Sequence, residues 1–123
     1  MPAKVIDASV LGAIAFGESR KDEATALMDG AELYAPRLLP YELVSIALKK
    51  SKLEGGLSEE IRNSLTIAFN VEIRWVEPDH QGILEIAQES GLSAYDAAYL
   101  HASRSLGLPL ITFDERLKAA FNI

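Results

Sequence analysis

The chain contains no cysteine, which removes disulfides and thiolate metal sites from the possibilities. Its two histidines, His80 and His101, are far apart in sequence, so no imidazole pair offers itself as a metal centre. No apolar run is long enough to cross a bilayer, because Arg, Lys, Glu or Asp interrupts each one. The N-terminus enters a strand-like run at once and lacks a signal-peptide layout, so the expected location is cytoplasmic. Basic residues are in deficit, with 12 Lys and Arg against 18 Asp and Glu and a net charge of −6. That balance excludes broad, non-specific coating of nucleic acid, which relies on excess cations. It leaves room for a nucleic-acid enzyme, since acids that bind divalent cations make the apo chain look more acidic than the working protein. There is no internal repeat, no low-complexity tract and no linker.

What the sequence does have is material for a core: 123 residues, 49% of them hydrophobic. This is enough for one compact domain spanning 1–123. Strand-like and helix-like segments alternate. KVI is a short buried strand, followed by SVLGAIAF and SRKDEATALMDG as helices, the second ending at Gly30. ELYAP is a strand stopped by Pro36, and a strong helix runs from Pro40 to Glu54 with Gly55 and Gly56 behind it. LSEEIRNSLTIAF is a helix capped by Ser58, VEIRWVEP a strand broken by Pro78, and HQGILEIAQESG a helix closed by Gly91. SAYDAAYLHASRSLG is a helix between Ser93 and Gly107, PLITF a strand, and DERLKAAF a last short helix. Strands separated by helices or helix pairs predict an α/β domain with a largely parallel sheet covered on both faces.

Four acids stand out, and each has an ordinary explanation. Asp7 follows the first strand and suits an N-cap. Asp96, three residues after Ser93, suits a capping box. Asp114, between PLITF and ERLKAAF, suits another cap, and Glu42 complements the dipole of its helix. A second reading treats them together. Asp7 and Asp114 both lie just past the C-terminal ends of apolar strands, and in an open parallel sheet those ends share one crevice. Glu42 in LLPYELVSIAL and Asp96 in SAYDAAYL have apolar surroundings, costly for a carboxylate that is neither paired nor on a metal. Four carboxylates in one crevice repel, so some stay protonated or a cation binds. Hard oxygen ligands suit Mg²⁺ or Mn²⁺, which can activate water and stabilise charge on a phosphoryl oxygen. Ser9 and Thr112 flank two of the acids. Their hydroxyls either orient a carboxylate from behind or simply belong to a helix start and a strand.

Asp7 in VIDASV, Glu42 in PYELVSIAL, Asp96 in SAYDAAYLHASRSLGLPLIT and Asp114 in TFDERL occur in the order and local contexts of a PIN domain. The sequence most resembles the VapC-type toxins of prokaryotic toxin–antitoxin pairs, over essentially the whole chain. The resemblance implies a three-layer α/β/α sandwich with a mainly parallel sheet of four or five strands. Family members often continue into a final short strand, whereas this chain stops at AFNI, so the fifth strand is left open. The resemblance also implies a Mg²⁺- or Mn²⁺-dependent endoribonuclease for single-stranded regions of RNA, a homodimer, and a cognate VapB-type antitoxin that occupies the active-site groove. Asp7, Glu42 and Asp96 match the family's core acids, Asp114 a fourth and more variable one, and Thr112 its small hydroxyl residue. On this reading Asp7, Asp96 and Asp114 hold the metal, and Glu42 is a ligand or an orienter through water.

RNA still needs cations. Lys49, Lys50 and Lys52 cluster at the end of the Glu42 helix, where they either meet RNA or complement the helix dipole. Arg116, after Asp114, is a further candidate for a phosphate, and Arg104 another. Tyr99 shares a helix face with Asp96 and either lines the groove or packs. Trp75 reads as core or interface, and both histidines as structural. The apolar residues between Leu38 and Leu48 exceed a single stripe, so part of them is expected to meet a partner chain. A response-regulator receiver would need adjacent acids early in the chain, and Ile6 and Ala8 flank Asp7 instead. A haloacid-dehalogenase-like phosphatase would need an acid at Ser9. The remaining alternative is a PIN-type fold that binds partners with weak or absent cleavage.

Overall fold

The structure, a computed structural model, describes residues 1–122. The chain runs β1 (Ala3–Ile6), α1 (Ala8–Ala15), α2 (Lys21–Met28), β2 (Glu32–Pro36), α3 (Leu39–Leu53), α4 (Glu59–Phe69), β3 (Arg74–Val76), α5 (His80–Ser90), α6 (Ala94–Leu106), β4 (Leu110–Ile111) and α7 (Glu115–Phe121). Side-chain caps mark most helix starts. Asp7, Ser58, Asp79, Ser93 and Asp114 each accept a backbone N–H from their own first turn, satisfying a donor the helix leaves open. Gly107 ends α6 with φ at 67°, a left-handed conformation that glycine adopts without the Cβ penalty.

Every strand pairing is parallel, in the order β3-β2-β1-β4. The strands are short, and their faces alternate. Val5 joins a core with Leu100, Leu110 and Leu117, beneath α5, α6 and α7. Its neighbour Ile6 joins the opposite core with Leu11, Leu39 and Leu43, beneath α1, α3 and α4. Helices therefore cover both faces, and the architecture is the three-layer α/β/α sandwich. Four strands form the sheet among the described residues. Residues 115–121 are helical, and the fifth strand left open at the C-terminus lies outside the described residues. No helix among them is long and apolar enough to cross a membrane.

Two strands are shorter than their sequence patterns predict. PLITF contributes only Leu110 and Ile111 to the ladder. Beyond them the backbone turns to side chains: the Phe113 N–H donates to Ser9 Oγ, and the Asp114 N–H to Thr112 Oγ1. VEIRWVEP contributes only Arg74–Val76, at the sheet edge. The strand order also fixes where a ligand belongs. From β1 the chain proceeds outward to β2 on one side, and β4 returns to the other side. The crevice beyond the carboxyl ends of β1 and β4 is the point where the winding reverses, the usual binding place in open α/β sheets.

Candidate active site

Asp7 sits at that crevice, at the end of the central strand and 6% exposed. Ser9 donates to its Oδ1 through both backbone N–H (3.1 Å) and Oγ (2.6 Å). Thr112 Oγ1 donates to its Oδ2 at 2.5 Å. Both hydroxyls are in turn anchored by the β4–α7 turn, accepting the Phe113 N–H at 2.9 Å and the Asp114 N–H at 3.0 Å. The cap and the carboxylate cluster are thus one arrangement: the hydrogen bonds that start α1 also fix the Asp7 carboxylate against β4.

Asp114 caps α7 by accepting the Leu117 N–H on Oδ1 and is exposed. Asp96 lies in the first turn of α6, half-buried, with its N–H donated to Ser93 Oγ. Glu42 lies in the first turn of α3, also half-buried, and accepts from the phenol of Tyr99 at 2.5 Å. That bond ties α3 to α6 across the groove. Four different elements therefore bring Asp7, Glu42, Asp96 and Asp114 to the wall of one groove of about 1260 Å³.

Burial, and at two of the acids their crowding, shifts these groups. Burial pushes the Asp7 carboxyl above its ordinary range, outweighing the hydrogen bonds that favour its charge. Burial also raises Glu42, with the charges of Asp7 and Asp96 adding to it. Asp96 is raised by burial first and by Asp114 second, while Arg116 pulls it back. Tyr99 is pushed far up, first by burial and then by Glu42, so its phenol stays protonated and keeps donating. The donor set suits a hard divalent cation: carboxylate oxygens, no sulfur, and charges that a cation would neutralise. Among the described residues, no three acids or histidines already stand close enough to hold one ion.

Ser9 and Thr112 stand directly behind Asp7. Lys49 and Lys50 line the same groove further along α3. Arg116 reaches sideways instead, donating to the Gly91 carbonyl at 3.3 Å. Tyr99 is buried and engaged with Glu42. His80 and His101 come together in a separate cleft of about 340 Å³ on the far side of α6, where His101 Nε2 stands 3.7 Å from Asp79 Oδ2. Trp75 is partly exposed on the edge strand, with the Arg37 guanidinium 5.6 Å from its ring centroid. On α3, Leu39, Leu43 and Ala47 are buried, while Val44 and Leu48 face outward.

Sequence reasoning missed three groove residues. Tyr41 and Tyr95 are 77% and 66% exposed and line the groove beside Glu42 and Asp96. Their places next to two of the acids were the available signal. Arg20 lines the groove from the α1–α2 connection, its guanidinium stacked 3.7 Å from the Phe113 ring centroid. Nothing local in GESRKDE announces it, because the contact depends on where β4 ends.

Comparison with known proteins agrees with the fold. Residues 4–121 match the PIN domain family. The chain is 26% identical over 122 residues to Ribonuclease VapC3 of Pyrobaculum aerophilum, covering 95% of this chain and 93% of that one. It is also similar to the crystal structure of PAE2754 from Pyrobaculum aerophilum. There the TM-score is 0.76 and the identity 27%, over 97% of this chain and 84% of that one.

Proposed function

Since the chain belongs to the PIN domain family, we propose that it is a Mg²⁺- or Mn²⁺-dependent endoribonuclease that cuts single-stranded RNA, the toxin of a toxin–antitoxin pair. The observation that carries this reading is the convergence of four carboxylates from four elements on the groove at the β1/β4 edge. The kinship with a protein named Ribonuclease VapC3 supports it.

Asp7, Asp96 and Asp114 would hold the cation, with Glu42 a further ligand or an orienter of water. When bound, the cation lowers the pKa of water and neutralises charge that develops on the phosphoryl group. The chain's own residues set the geometry. Ser9 and Thr112 lock the Asp7 carboxylate by three hydrogen bonds, so it needs no reorganisation during reaction. Tyr99 occupies one oxygen of Glu42 and leaves the other for the groove. Tyr41 and Tyr95 offer exposed rings on which unpaired bases can stack, a sequence-tolerant contact. A VapB-type antitoxin would inhibit by filling this groove. The outward Val44 and Leu48 of α3 fit an apolar face for a partner chain, a second copy in the homodimer.

The test is cleavage of single-stranded and structured RNAs in Mg²⁺, in Mn²⁺ and in EDTA, with Asp96→Asn alongside. Internal cuts in either metal are expected, with loss of at least a hundredfold in EDTA and in Asp96→Asn while the fold is kept. A fully active Asp96→Asn protein would sink the assignment. Metal binding without cutting of any RNA would favour a PIN-fold binding module instead.

A further inference from the structure

The groove does not end at the acids. Its continuation is lined by Arg20, Lys49 and Lys50, three of the 12 basic residues in a chain of net charge −6. Lys49 and Lys50 lie seven and eight positions beyond Glu42 on α3, which at 1.5 Å per residue is roughly 10–12 Å further along the helix. Arg20 comes from the α1–α2 connection. Its guanidinium lies over the Phe113 ring, 3.7 Å from the centroid, and one of its terminal nitrogens pairs with Glu23. Lys50 also stands near an aromatic ring, with Nζ 5.8 Å from the Phe16 centroid.

The Arg20 stack fixes the cation relative to the acids. Phe113 lies between Thr112 and Asp114, and its N–H is held by Ser9. The ring that carries the guanidinium thus belongs to the same short turn that positions Asp7 and Asp114. Stacking covers one face of the guanidinium and leaves in-plane N–H donors for a planar, two-pronged contact, the geometry that suits phosphate. An exposed Arg–Glu pair alone would contribute little to stability and would not require the ring. Glu18 also lines the groove, and Glu23 pairs with Arg20 but takes only part of its donor set. The same groove therefore presents cation-seeking carboxylates and, beside them, the anion-seeking Arg20, Lys49 and Lys50.

We propose that Arg20, fixed on Phe113, and Lys49 and Lys50 on the α3 wall seat a backbone phosphate of the RNA strand next to the phosphate at the acids, which makes Arg20 a positioning residue. This rests on the ribonuclease reading and names where the uncut part of the strand lies. It also accounts for how an acidic chain holds a polyanion.

The test separates a phosphate contact from a merely structural role. Binding of a fluorescent single-stranded RNA is followed across NaCl concentrations in Mg²⁺, in the Asp96→Asn background so that the RNA stays intact. Each lost phosphate contact on a single strand should reduce the slope of log K against log salt by about 0.7. Arg20→Ala is expected to weaken binding several-fold and to lower the slope by that amount. Arg20→Lys is expected to keep the slope while losing part of the affinity. In the otherwise unaltered enzyme, Arg20→Ala should raise KM and leave kcat near its original value. Wild-type affinity and slope in Arg20→Ala, with the parent enzyme cutting RNA, would overturn this inference and leave the ribonuclease reading standing. Absence of both binding and cutting in the parent enzyme would overturn the two together.

Discussion

Asp7 performs a local task and a global one with the same carboxylate. Capping α1 is satisfied by one oxygen, and the other is held by Thr112, just past β4 and 105 positions away. The local half was legible in the sequence, because Asp between a strand and a helix is a preferred cap. That Ser9 and Thr112 both donate to this carboxylate was legible only as one of two options, since hydroxyl residues are also ordinary at helix starts and in strands. The arrangement has a cost that can be measured. Burial raises the Asp7 carboxyl above its ordinary value of 3.8, so between that value and the folded one the native state binds more protons than the unfolded state. The free energy of unfolding must then fall as pH rises through this window, and the burden is fully present at neutral pH. Asn keeps the cap and carries no charge. In EDTA at pH 7, Asp7→Asn is therefore expected to be more stable than the parent by on the order of 1 kcal/mol, the usual scale for relieving a functional site. That corresponds to about 4 °C in Tm for a domain of this size. The gap should close as the pH is lowered toward 4. Thermal melts across that range decide it, and a less stable Asp7→Asn protein at pH 7 would contradict the assignment of burial as the dominant effect.

At the scale of elements, the alternation of strands and helices was readable because each segment carries its own period and its own punctuation. What local pattern could not give was strand length or helix pairing. PLITF looks like five strand residues, yet Thr112 and Phe113 leave the ladder, and the backbone there turns to the Ser9 and Thr112 hydroxyls near the site. The packing of α5 on α6 shows the same limit. His101 reads as a lone structural histidine, and its partner is identified only when Gly82 is seen beneath it. A Cβ at Gly82 would stand 2.7 Å from His101 Nε2 and 2.8 Å from Asp79 Oδ2, inside contact distance. Two effects of opposite sign meet here. Alanine in a helix is favoured over glycine by about 1 kcal/mol, while overpacking costs about 1–3 kcal/mol. Gly82→Ala should therefore destabilise the parent protein, by roughly 1 kcal/mol net. In a His101→Ala background the clash with the ring is gone and the exposed Asp79 carboxylate is free to turn aside, so the same substitution should stabilise. Denaturant melts of the four proteins in this cycle test the reversal. A Gly82→Ala effect of the same sign in both backgrounds would show that the ring does not set the α5–α6 distance.

At the scale of the whole molecule, the deficit of positive charge and the crowding of carboxylates become one question: what neutralises the groove. The charges of Asp7 and Asp96 act against that of Glu42, and the charge of Asp114 against that of Asp96. Burial is the first cause of the raised carboxyls of Asp7, Glu42 and Asp96, and at Glu42 and Asp96 these neighbouring charges add to it. Arg116 offsets part of this at Asp96, but its guanidinium is turned to Gly91. A divalent ion bound by the folded chain and not by the unfolded one must raise stability by mass action. The gain is about 2.7 kcal/mol at a hundredfold excess over Kd, or on the order of 10 °C in Tm by the conversion above. Mg²⁺ or Mn²⁺ should thus raise the melting temperature relative to EDTA at matched ionic strength, and the rise should be largest at pH 7, where the acids are most nearly charged. Lowering the pH toward 4 should erase it, because protons then occupy the same oxygens. Asp7→Asn and Asp96→Asn should each lose most of the rise, although Asp7→Asn starts from a higher melting temperature without metal. Opposite effects of one substitution on the apo protein and on the metal response are not produced by a general loss of packing. They require that the carboxylates destabilising the empty groove are the ones that hold the ion. A melting temperature indifferent to both metals would separate the acid cluster from cation binding and remove the metal from the proposed mechanism.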